Sequence, residues 1–172
     1  MDLTSRATGR CTWRRFAPHV IAVVLSGHLP PKVLNSRMTT SFWLAAAAYL
    51  VPTFPLGYLW HLKAFRSDYE RLAVYREPVI IPLGLASMVV QAGLYAWAYP
   101  RLFSTAHDAW LQSAVFFGAF FGALAWSLAV LPAAAKNRMA SVGTFLRLET
   151  AFTVVQYAVI SPLIALAWRA PA

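Results

Sequence analysis

The sequence predicts an all-α, polytopic membrane protein: a four-transmembrane-helix bundle with a short cytoplasmic interfacial helix. Four apolar stretches, about 40–60, 78–101, 110–135 and 142–168, are each long enough to cross a bilayer, whose oily core takes about 20 helical residues. Apolar residues make up 59% of the chain and charged residues 12%, far from the near-half and one-quarter usual in soluble domains. Inside lipid, backbone amides must be paired within a helix or a closed barrel, and stretches this long and this apolar fit helices.

The chain has 172 residues, room for one domain, and a formal charge of +9. Its cations cluster at span ends and in the N-terminal tail. No basic stripe interleaved with stackable aromatics marks a soluble module, so no nucleic acid is expected as a partner. The basic excess is read instead as a topology signal and an attraction to anionic lipid headgroups. Cys11 is the single cysteine, which excludes an internal disulfide and chemistry that needs cysteine pairs.

Residues 1–37 form a basic extension, predicted to be disordered. Arg6, Arg10, Arg14, Arg15, Lys32 and Arg37 surround one short apolar run, His19–Leu25, broken by Gly27 and Pro30-Pro31. The run is too short to span. A signal peptide is one reading, although no clean small-x-small cleavage site follows. The favoured reading takes Met38 as the natural start, on grounds of charge. The first and third loops carry Lys63, Arg66, Arg71, Arg76, Lys136, Arg138 and, just inside the last span, Arg147. The opposite side has Arg101 and Arg169. Positive residues stay inside, which places loops 61–77 and 136–141 in the cytoplasm and the C-terminus outside. The cations of residues 1–37 would then lie on the wrong side.

The first span, 40–60, contains Pro52 and Pro55, which predict a bend or local unwinding near its middle. Aromatic belts are expected at Trp43, Trp97, Tyr99, Trp110 and Trp168 on the outer side and at Trp60 and Tyr75 on the inner side. Between the first two spans, Leu62, Phe65, Tyr69 and Leu72 recur at helical spacing. Ser67 and Glu70 are placed to form a capping box. A short helix on the cytoplasmic face follows, with its arginines toward lipid phosphates. Pro78 would end it and begin the second span, which has Pro82 in its first turns.

The third span carries Gly118-Ala-Phe-Phe-Gly122, with Ala114 one turn earlier. Glycines four apart let two helices approach closely. The seam is either packing within the bundle or a homo-oligomer contact. The second and fourth spans each place one glutamine near the midplane, Gln91 and Gln156. Both are predicted to reach a depth of about 20 Å and to face each other or share a partner such as Tyr95 or Ser87. Glu149 is the one carboxylate clearly inside a span. Such acids point at a partner or a wet cavity, and His61 is at matching depth. Either an ion pair holding two helices together or a proton-linked, ligand-contacting acid fits that placement.

No cofactor or metal is expected. His61 and His107 belong to opposite membrane boundaries, which argues against a bis-histidine haem, and neither sits in a ligand cluster. No catalytic constellation can be assembled, so no catalytic residue is assigned. The spans show no internal repeat of the inverted transporter kind.

At Phe54-Pro-Leu-Gly-Tyr-Leu-Trp60, followed by His61 and Phe65, the chain resembles a group of small bacterial four-helix integral membrane proteins of unknown function. Gly57, Trp60, the Gly118/Gly122 pair and Trp168 carry the resemblance across Met38 to Arg169; the position after Trp60, often Tyr there, is His61 here. The resemblance implies the four-helix fold and a bacterial inner membrane, and no activity. Three functions stay open. The first is a non-enzymatic accessory or assembly subunit, or a binder of a small lipophilic molecule. The second is an oligomeric transporter with a path along Glu149, Gln91 and Gln156. The third is a lipid- or quinone-modifying enzyme using His61 and Glu149 as acid and base.

Overall fold

The structure, a computed structural model, describes residues 36–76 and 78–170. The predicted extension falls, except for its last two residues, outside the described residues. The described chain is helical without strands, in the order α1 (Ser36–Leu59), a π turn (Trp60–Ala64), α2 (Arg66–Leu72), α3 (Ile81–Leu102), α4 (Trp110–Ala125), a second π turn (Trp126–Val130), α5 (Leu131–Lys136) and α6 (Val142–Trp168). Four helical segments, Thr39–Ala64, Ile81–Leu102, Trp110–Lys136 and Val142–Trp168, are long and apolar enough to cross a membrane. Each shows a large apolar residue outward, with Val51 69%, Leu83 67%, Leu128 69% and Val154 63% exposed. A water-soluble bundle would bury these side chains.

The long helices alternate in direction. One end of the bundle gathers α2, α5, Lys63, Arg66, Arg71, Arg76 and Arg138; the other holds Arg101 and Arg169. These are called the basic end and the far end below. α6 packs against both α1 and α4, and α3 packs along α1. The helices thus form a row, α3–α1–α6–α4. Side chains close the row only toward the far end, where Tyr95 and Tyr99 each meet the ring of Phe117 at 5.5 Å. Tyr95 also meets Phe121 at 4.9 Å. Arg169 ties this end shut, its Nε donating to the His107 carbonyl at 3.1 Å.

Four local expectations are corrected. Pro52 and Pro55 lie within an unbroken α-helix, and the irregular turn comes later, at Trp60–Ala64. One lost amide per proline is absorbed where neighbouring helices pack. Ser67 forms no capping box: Phe65 is the cap residue, without a side-chain bond. Glu70 instead accepts from Arg66 Nε at 2.6 Å, one turn back. The second long helix begins at Ile81 rather than Pro78, with Pro82 in its first turn, where a missing amide costs least. Tyr99 and Trp168 belong to the core and not to a belt, at 0% and 9% exposure. The short helix itself forms, and it buries Tyr69 and Leu72 beneath Val130 and Phe145.

Gly118 and Gly122 face α6 of the same chain. A Cβ on Gly118 would meet Ser161 Oγ at 2.6 Å, and one on Gly122 would meet Tyr157 Cγ at 3.3 Å. Ala114 is buried on the same side. The close approach that these small residues allow is therefore made within the bundle.

Candidate ligand-binding cleft

Toward the basic end the row does not close. α3 buries Ala92, Tyr95, Ala96, Ala98 and Tyr99 in its second half, whereas every residue from Ile81 to Ser87 is exposed. The gap is a cleft of about 450 Å³ walled by α1, α3, the end of α4 with its π turn, and α6. His61, Gln91, Glu149 and Gln156 all line it. These are the four residues that sequence patterning singles out as ligand-facing, and they meet in one place.

Glu149 stands seven residues into α6, about 10 Å along the axis. Its Oε1 accepts from the Tyr69 hydroxyl at 2.7 Å and lies 3.4 Å from His61 Nε2. Both side chains are largely shielded, His61 at 19% and Glu149 at 15% exposure. The π turn shapes this contact. His61 lies in it, and its Nδ1 is 2.9 Å from the Gly57 carbonyl oxygen. A carbonyl cannot donate, so Nδ1 carries the proton there. Nε2 and Oε1 then attract each other only with one proton between them. The pair is either imidazolium with carboxylate or imidazole with carboxylic acid. Burial and the Glu149 carboxylate push the Tyr69 phenol well above its ordinary range. Tyr69 therefore remains a donor. The Tyr75 ring stacks on Tyr69 at 5.0 Å, and Phe152 packs against His61 at 4.5 Å.

Deeper in the cleft, Gln91 is ten residues into α3 and Gln156 fourteen into α6, about 15 and 20 Å along their helices. The later start of α3 makes Gln91 shallower in its helix than its distance from Pro78 suggests. Their shared partner is Tyr49, which neither expectation named. The Tyr49 hydroxyl donates to Gln91 Oε1 at 2.5 Å and also interacts with Gln156. Gln91 Nε2 donates to Ser87 Oγ at 3.0 Å, as anticipated. Tyr95 instead pairs with Tyr157, hydroxyl to hydroxyl at 2.5 Å. Thr53 lines the cleft too, buried, with its hydroxyl lacking a hydrogen-bond partner. Buried hydroxyls of this kind are normally satisfied, by protein, water or a ligand.

Sequence patterning missed Tyr49, Thr53 and Tyr69 as parts of the site. Tyr69 was visible as a member of the helical stripe, and its spacing marked it for burial without marking Glu149 as its partner. His107 stays at the far end, 2.5 Å from Arg169 Nη2. Among the described residues no three His, Cys, Asp or Glu side chains come together as a metal cluster. Two π turns flank the Glu149 segment, one in each helix packed on α6: Trp60–Ala64 holds His61, and Trp126–Val130 begins with Trp126, which donates to Thr150 at 2.9 Å. Such turns recur at functional sites because they shift side chains and free a backbone carbonyl. No protein family, no curated protein and no solved structure matches this chain.

Proposed function

We propose that this chain is a multi-pass membrane protein that holds a small lipophilic molecule in the cleft, with its basic end toward the cytoplasm and the bacterial inner membrane as its setting. The observation that carries the reading is the convergence of His61, Glu149, Gln91 and Gln156 on one partly open cleft. A filled, dry interior would have left these groups as clasps between helices. The volume falls within the range of small-molecule sites, about 300–1,000 Å³, where a few polar groups orient a mostly apolar ligand. The unpartnered Thr53 hydroxyl supports the same reading.

The test is purification in native nanodiscs, followed by mass spectrometry of small molecules released from the washed protein. A recurrent molecule is expected with the native chain and should be lost when Gln91 and Gln156 are both replaced by leucine. Retention of the same molecule by that variant, or nothing recurrent with the native chain, refutes the binder reading.

A second reading has its own observation, the single proton held between His61 and Glu149. A proton donor and acceptor in a cleft would suit a transporter coupled to protons or an enzyme acting on a lipid or quinone. Replacing Glu149 by Gln separates the readings. A binder keeps its ligand with changed affinity, whereas proton-coupled transport or turnover is abolished with the ligand still bound.

A further inference from the structure

The cleft has a mouth, and the mouth is basic. A second cavity, of about 320 Å³, lies at the basic end and is lined by Lys63, Arg66, Arg76, Glu70 and Tyr69 among others. Tyr58, His61, Leu62, Tyr75 and Val79 line both it and the main cleft. The two spaces are therefore one passage, cationic at its outer end and apolar within. Glu70 is the one carboxylate lining the mouth among the described residues, and Arg66 already holds it at 2.6 Å. Neither Lys63 nor Arg76 has a carboxylate within ion-pair distance among the described residues. The His61–Glu149 pair, sharing one proton, adds no net charge to either space.

We infer that the occupant is an anionic lipid, its phosphate or carboxylate head in the mouth between Lys63 and Arg76 and its chain in the cleft. The inference rests on the cleft being a binding site, as proposed above, and adds the class of ligand. A neutral amphiphile would leave those two cations facing only water. A lipid head at this position also matches the geometry of the passage. The polar mouth lies beyond the end of α1 and before the start of α3, at the headgroup level of a bilayer crossed by these helices.

The experiment places the full chain in nanodiscs of equal parts phosphatidylglycerol and phosphatidylcholine and weighs the lipids that stay bound after release into the gas phase. Retained phosphatidylglycerol is expected to exceed phosphatidylcholine about tenfold, given two cations at the surface. Replacing Lys63 and Arg76 together by glutamine should return the ratio to that of the bulk lipid. Gly57→Leu supplies the control for the cleft. A Cβ at Gly57 would sit 3.7 Å from Met88 Cε and 3.9 Å from Phe152 Cζ, so leucine would grow into the space the chain requires. If it disturbs folding, Met88→Trp fills the same space from the opposite wall. Loss of bound lipid in the filling variant supports the inference. Phosphatidylglycerol enrichment that survives filling marks lipid gathered on the outer surface and overturns it. Lipid retained without preference for the anionic head overturns the inference while leaving the cleft as a binding site. No retained lipid at all removes both.

Discussion

The two halves of this bundle are built from the same helices and solve different problems. At the far end, aromatic rings fill the space between α3 and α4, and Phe117 is wholly buried among Tyr95, Tyr99, Phe103 and Phe121. At the basic end, the same two helices stand apart, and the wall of α3 is exposed from Ile81 to Ser87. The far half behaves as a packed core, where removing volume costs stability. The near half tolerates added or removed volume, because its side chains border open space. Rigidity at one end allows an unfilled cleft at the other.

The largest expected effect tests the packed half. Phe117→Ala should cost about 3–5 kcal/mol in thermal unfolding followed in detergent. Phe54→Ala, at a residue that lines the cleft and is 40% exposed, should cost less than about 1 kcal/mol. Equal losses at the two sites would erase the distinction between the halves.

Next come the glycines. Gly122→Leu drives a side chain into Tyr157 and should cost about 1–3 kcal/mol. At Gly84 a Cβ meets nothing within 4 Å, so Gly84→Leu should leave the melting temperature unchanged. A destabilised Gly84→Leu protein would show that α3 closes onto its neighbours.

Tyr69→Phe removes one donor from Glu149 and should cost about 2 kcal/mol, the value of a hydrogen bond to a charged group. The substitution also carries a pH signature. The folded phenol holds its proton beyond the ordinary value, so its contribution is complete below a pH of about 10 and disappears as pH rises above that. The native chain should lose stability in alkali more steeply than the variant. Parallel alkaline curves would place the Tyr69 proton elsewhere. The smallest effect is expected at the start of α6, where Ser141 Oγ accepts from the Thr144 amide at 3.3 Å. Ser141→Ala should cost about 1 kcal/mol, with no change in what the cleft binds.

The spans were legible because apolar length is a one-dimensional property, and three of the four begin within a residue of where hydropathy puts them. Glu149 was legible for a related reason, since an acid among apolar neighbours needs a partner, and depth along antiparallel helices nominated His61. Tyr49, Thr53 and Tyr69 were not legible. Each looks like an ordinary buried residue until the row α3–α1–α6–α4 is known, and that order depends on which faces meet. The open cleft was hidden for the same reason: Ile81–Ser87 is as apolar as any packed segment, and no pattern within it records a missing neighbour. The turn at Trp60–Ala64 leaves no local mark either, and prolines eight and five residues before it draw attention to the wrong place.

That turn has a consequence for how this chain tolerates change. A π turn accommodates one residue more than the α-helix it interrupts, and each residue advances a helix by about 100°. Deleting a single position between Trp60 and Ala64 would restore regular winding and swing everything that follows around the axis. Tyr69 would be carried off the carboxylate it serves, and Lys63 away from the passage, although no residue of the cleft itself had been altered. In this segment spacing is inherited as strictly as chemistry, and a shortened homologue would need a different arrangement of its polar groups.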